Sequence, residues 1–79
     1  MMVIGCFADA QGAQYILPVN RSQSSPITAG LTLDEKYESA CEISQETGNP
    51  LAPVSVAGKP LAVSLEAGEG RLFLLKRKN

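Results

Sequence analysis

Apolar and polar residues alternate with a period of two along most of this chain, and turn-forming residues interrupt the alternation at short, regular intervals. In a strand, successive side chains point to opposite faces, so this pattern predicts half-buried strands of a small all-β domain. Met2 to Ala8 is an apolar run closed by Asp9-Ala10-Gln11-Gly12, a turn that hands the chain to Gln14 to Asn20. Tyr15, Leu17 and Val19 share one face of that second run. Pro18 has no amide to donate, which places its strand at a sheet edge or at a bulge.

Asn20 to Ser25 forms a polar loop whose Asn and Ser side chains can mimic backbone turns, and Pro26 closes it. From Ile27 to Leu33 the alternation is regular, with Ile27, Ala29, Leu31 and Leu33 inward and Thr28, Gly30 and Thr32 outward. Asp34-Glu35 turns the chain. Tyr37, Ser39, Cys41 and Ile43 then alternate against Lys36, Glu38, Ala40 and Glu42, predicting a strand with the first set inside and a charged outer face. The rival assignment of this Glu- and Lys-rich stretch is a short helix, but on a helix Tyr37, Cys41 and Ser44 make a thin stripe that leaves Ile43 outside it. Strand is the better reading.

Gln45 to Pro50 is a turn in which Gly48 is free to take a positive φ. Leu51 to Val56 and Leu61 to Glu66 flank Ala57-Gly58-Lys59-Pro60 as an expected hairpin, with Leu61, Val63 and Leu65 inward. Gly68-Glu69-Gly70 supplies two residues able to adopt left-handed dihedrals, which predicts a reversal sending Arg71 to Lys76 back beside the preceding strand. Leu72, Phe73, Leu74 and Leu75 are consecutive, so this last strand is expected to be covered on both faces, one of them by a loop or another domain.

The 79 residues suffice for a single domain over 1–79, because a chain this short buries only about 60–65% of its unfolded surface in one core. Six or seven strands fit an antiparallel two-sheet sandwich about 10 Å thick with a radius of gyration near about 12 Å, and a small β-barrel is the alternative. No internal repeat or linker divides the chain. The doubled Met1-Met2 ahead of a strand-like run suggests an artificial start codon at a domain boundary, and so a fragment of a longer protein. The opening MMVIGCFADA lacks a basic leader and a long apolar stretch, so no signal peptide is expected in it, and no apolar run approaches the roughly 20 residues that span a bilayer.

Seven basic against eight acidic residues leave a net charge of -1, which provides no strong field to attract nucleic acid or anionic lipid. Lys76-Arg77-Lys78 is a short basic run without interleaved aromatics and reads as a solvated end. Cys6 and Cys41 belong to no metal-binding pattern; they are expected as free, buried small hydrophobes, with a bridge between them as the alternative.

Histidine is absent, which removes the commonest general base and metal ligand and rules out Ser/His and Cys/His nucleophilic arrangements within this chain. The carboxylates are Asp9, Asp34, Glu35, Glu38, Glu42, Glu46, Glu66 and Glu69. A glycosidase holds two carboxyls roughly 5–10 Å apart across a cleft. Glu38 and Glu42 could reach that spacing on one strand face, but beside Lys36 and without an aromatic wall they read as solvated charge. The GEGRL stretch is followed by a strand rather than a helix, so it is a turn and not a phosphate loop. No catalytic, cofactor or metal residue is assigned. Phe7, Tyr15, Tyr37 and Phe73 are the only aromatics, each in a strand where core packing accounts for it, which leaves sugar stacking as a secondary reading.

The succession GCFADAQGAQYILPVNRS, then YESACEISQETGNP, then SLEAGEGRLFLL resembles the C-terminal β-sandwich domain that follows the catalytic barrel in multidomain bacterial glycoside hydrolases. Phe7, Gly12, Tyr15, Val19, Asn20 and Arg21 match the opening phrase of such domains. Thr47 and Gly48 match the middle turn, and Leu65, Gly68, Gly70, Arg71, Leu72 and Phe73 match the closing phrase. Pro18 stands where a branched residue is usual, and Ala67 where proline is. The resemblance implies a non-catalytic accessory domain, without cofactors, that packs against the catalytic domain of its own parent chain outside the cytoplasm; a carbohydrate-binding module is the alternative. An accessory role of this kind predicts an exposed apolar patch of at least roughly several hundred Å². Asn20 is expected to cap the turn after Val19, which makes its replacement by Ala cost about 0.5–2 kcal/mol.

Overall fold

A computed structural model of the chain describes residues 2–78. Seven strands form two antiparallel sheets: β1 (Met2–Ala8), β2 (Gln14–Asn20), β3 (Ile27–Leu31), β4 (Tyr37–Glu42), β5 (Val54–Ser55), β6 (Leu61–Leu65) and β7 (Phe73–Arg77). The larger sheet has the order β1-β2-β7-β4-β5 and the smaller pairs β3 with β6. This is a small β-sandwich, with a radius of gyration of 12.5 Å.

The core lies between the sheets. Ile16, Tyr37, Ala40, Phe73 and Leu75 of the large sheet meet Leu31, Leu61, Val63 and Leu65 of the small one, with Val56 closing the gap. Inward Leu61, Val63 and Leu65 follow the expected alternation, as do Ile27, Ala29 and Leu31, although β3 ends at Leu31 rather than Leu33. Two strands cannot cover five. On the flanks Ile4 of β1 and Val54 of β5 therefore stay exposed although the core continues between them.

Four expectations are corrected by the pairing. Pro18 lies neither at an edge nor in a bulge, because β2 sits between β1 and β7. The same register runs from Gln14 opposite Leu75 to Val19 opposite Gly70; at Pro18 the ladder keeps the bond donated by Arg71 N to the Pro18 carbonyl, 3.1 Å, and only the return bond is missing. The segments on either side of Gly58 do not form a hairpin. β5 joins β4 in the large sheet while β6 joins β3 in the small one, so the chain crosses between layers there.

Likewise β7 does not return beside β6. Gly68 does take φ +75°, but the turn delivers the chain to the large sheet, between β2 and β4. Gly70 does not have a positive φ; a Cβ there would lie 3.1 Å from Val19 Cγ2, so this glycine permits close packing on β2.

The fourth correction concerns β4. A register shift between Tyr37 and Ser39 inserts one extra residue against β7 and reverses the phase of everything after it. Tyr37 points inward as expected, but Ala40 is the buried residue at 0% exposure, and Cys41 turns to the outer face with Ser39.

Candidate functional site

The surface with the most distinctive character is the outer face of the large sheet, built by alternation. In β2 the inward set is Ile16, Pro18 and Asn20, so Tyr15, Leu17 and Val19 face outward. In β7 inward Phe73 and Leu75 leave Leu74 outside. The registers align these across strands: Phe7 is opposite Tyr15, Tyr15 opposite Leu74, and Leu74 opposite Cys41. That row crosses four strands without a charge. Beside it Leu17 and Gly5 are paired, and Ile43 N donates to the Leu72 carbonyl at 2.8 Å, so a second apolar row runs parallel to the first. Val3 opposite Val19 extends the face further.

Tyr15, Leu17, Val19, Cys41, Ile43, Leu72 and Leu74 are all half-buried, and among the described residues no second sheet lies above them. At the hairpin end of the face a hollow of about 460 Å³ lies over Leu74, floored by Ala13, Cys41 and Pro50 and rimmed by Lys76 and Arg77. The apolar run at residues 72–75 therefore has one face in the core, as expected, while on its other face Leu72 and Leu74 are half-buried and no strand among the described residues covers them.

The aromatics divide. Tyr37 and Phe73 are core residues, but Phe7 and Tyr15 are not: they stack on the outer face with ring centroids 5.5 Å apart and planes 13° from parallel, and Phe7 is 47% exposed. The β1–β2 loop fixes this pair. Asp9 N donates to the Ala13 carbonyl and Gly12 N to the Asp9 carbonyl, both at 3.0 Å, and Gly12 takes φ +84°, the three-residue hairpin with a glycine bulge. Asp9 Oδ1 accepts from Gln11 N and Ala13 N at 2.9 Å, leaving Oδ2 to accept from the Tyr15 hydroxyl at 3.3 Å. The Tyr15 phenol is raised above its ordinary value of 10.0, first by desolvation, then by the Asp9 charge and the hydrogen bond to it.

Asn20 is the one buried polar side chain among the described residues. Its Oδ1 accepts from Ser22 N at 3.0 Å, which is the expected cap, and the two protons of its Nδ2 are shared among the carbonyls of Ser25 at 2.8 Å, Glu66 at 3.2 Å and Leu65 at 3.3 Å. These partners occupy the whole amide, so its role is structural.

The carboxylates do not converge. Glu38 falls at the β4 bulge and is exposed, whereas Glu42 is half-buried beside Arg71, Nη1 to Oε1 3.4 Å. Arg71 Nη2 also lies 3.6 Å from Glu69 Oε2, making a three-residue ionic cluster at the mouth of a cleft between the sheets. Sequence reading found no such pair because 29 positions separate Glu42 from Arg71. Half-exposed pairs of this kind contribute about 1 kcal/mol or less. Cys6 and Cys41 are free thiols, exposed and half-buried respectively rather than buried, and lie on strands separated by β2 and β7.

Among the described residues no group of three or more His, Cys, Asp or Glu side chains is placed to hold a metal ion, and no helix is long and apolar enough to cross a membrane. In comparisons with known proteins, no family model matches the chain, and neither a curated protein nor a solved structure is detectably similar to it.

Proposed function

We propose that this chain is a non-catalytic accessory domain that packs, through the outer face of its large sheet, against the catalytic domain of a bacterial glycoside hydrolase. The observation that supports the reading is the uncharged row Phe7, Tyr15, Leu74 and Cys41 with its neighbour Leu17, an apolar face on a sheet whose other side already holds the core. A sheet face facing only water normally alternates to polar residues, and contiguous apolar patches of this kind mark interaction surfaces. The glycoside hydrolase assignment rests on the motif resemblance.

The test is the gene. An open reading frame continuing upstream of Met1 into a carbohydrate-cleaving domain, whose melting midpoint falls when Leu74 is changed to Lys in the joined protein, supports the proposal. A stop codon in frame directly upstream overturns it.

One observation favours a second reading, a carbohydrate-binding module: the stacked Phe7–Tyr15 pair is presented outward, where a sugar ring can lie on it. Titration with oligosaccharides decides this. Shift changes at Phe7 and Tyr15 amides that vanish in Phe7→Ala support sugar binding, and none at millimolar sugar removes it.

A further inference from the structure

We propose that the free edge of β1 is a self-association surface on which two copies of this chain pair β1 with β1, antiparallel, about a two-fold axis at Gly5. β1 ends the five-stranded sheet, and among the described residues no strand lies on its other side. Its opposite number at the far edge, β5, is two residues long and follows Pro53, both devices that discourage strand addition. β1 has neither. It is seven residues long, carries no charge and no proline, and its register with β2 is unbroken.

The backbone polarity selects the partner. Asp9 N donates to Ala13 O, so in the antiparallel alternation Val3, Gly5 and Phe7 turn their amides and carbonyls toward β2. Met2, Ile4, Cys6 and Ala8 turn theirs outward. Pairing β1 with itself about Gly5 sets Ile4 opposite the second copy's Cys6 and Met2 opposite the second copy's Ala8, so that every outward donor meets an outward acceptor. The intervening, non-hydrogen-bonded positions place Val3 opposite the second copy's Phe7, a favourable cross-strand pair. They also place Gly5 opposite its own copy, where Cα atoms come within about 4.5 Å and the residue there has no side chain.

Charge agrees with this register. The hairpin carries Asp9 at one end and, because Met2 pairs with Asn20, Arg21 at the other. An antiparallel dyad brings the acidic end of each copy alongside the basic end of its mate, whereas a parallel pairing would set like charges together. The outer apolar rows then continue across the junction.

Sedimentation equilibrium of the 79-residue chain tests this. A mass that doubles with concentration is expected, with association weakened about tenfold or more by Ile4→Pro, which removes an outward N–H but none facing β2. Ile4→Cys provides a second arm: opposite Cys6 across the dyad, at a Cα separation of about 5.5 Å, it should cross-link two chains under mild oxidation and fail to do so when Cys6→Ser is added. A monomeric mass up to about 1 mM overturns the proposal. So does association that survives Ile4→Pro but is lost in Leu74→Lys, which would move the contact to the sheet face; loss of the docking role proposed above leaves the edge pairing untouched.

Discussion

Asn20 Nδ2 lies 3.3 Å from the carbonyl oxygen of Leu65, and this contact links the end of β2 in the large sheet to the end of β6 in the small one. A loop cap accounts for only one of its four hydrogen bonds; the other three bind the layers and the Ser25 loop together. Asn20→Ala should therefore cost about 2–4 kcal/mol, above what a cap alone is worth, because the buried Leu65 carbonyl and the part-buried carbonyls of Ser25 and Glu66 lose this donor together. Asn20→Asp should cost more, since a carboxylate would face those same carbonyls. Urea unfolding of both variants measures this, and a loss under about 1 kcal/mol for Ala would return Asn20 to a simple cap.

The bulge in β4 yields a prediction of opposite sign to the one regular alternation makes. Ala40 is fully buried against the core while Cys41 faces outward, so Ala40→Leu should overpack the interior and cost about 1–3 kcal/mol. Cys41→Val on the half-exposed face should stay within about 0.5 kcal/mol. Thermal midpoints of the two variants rank the faces directly, and the reverse order would mean the strand runs without a bulge.

Why β4 misleads while β6 does not is a matter of what each pattern encodes. Alternation in Leu61, Val63 and Leu65 records which side of a strand is dry, and all three are buried. One inserted residue between Tyr37 and Ser39 leaves no mark on composition but exchanges the faces beyond it. Partner choice is less local still. Gly68 encodes a reversal, yet whether β7 falls beside β6 or between β2 and β4 depends on Asn20, whose N–H donates to the Glu69 carbonyl at 2.8 Å and whose carbonyl accepts from Gly68 N at 3.0 Å. Those bonds join position 20 to positions 68 and 69, and no short window of sequence contains both ends. The outer face was legible only in part: four consecutive apolar residues at 72–75 mark a strand with two apolar sides, of which the described residues bury only that of Phe73 and Leu75, whereas Phe7 and Tyr15, assigned to the core, turn out to complete its outer row.

The phenol of Tyr15 offers a check on the hairpin that needs no unfolding. Its proton is held more tightly in the folded chain than in a free tyrosine, by desolvation and by Asp9. A raised folded value means that the unfolded chain releases this proton first, so the associated stability is complete below about pH 10 and is lost as pH rises through the folded value. Ring-carbon NMR shifts followed through alkaline titration should show Tyr15 ionising above the ordinary value of 10.0, and Asp9→Asn should bring it down. An unmoved titration in Asp9→Asn would remove the carboxylate as a cause.

Leu74 and Leu75 are adjacent in sequence and differ only in the face they occupy, which makes them a paired test of the docking surface. Leu75 is in the core, so Leu75→Ala should cost about 2–4 kcal/mol whether or not the rest of a parent protein is attached. Leu74 is half-buried by its neighbours alone, and Leu74→Ala should cost about 1 kcal/mol or less in the isolated chain. If a second domain covers the row from Phe7 to Cys41, the cost at Leu74 must rise toward that at Leu75 in the joined protein, because the same methyl groups would then leave a cavity instead of a wetter surface. Urea midpoints of the two variants in the short and the extended chains measure the difference, and equal costs at Leu74 in both contexts would mean that the face stays open to water.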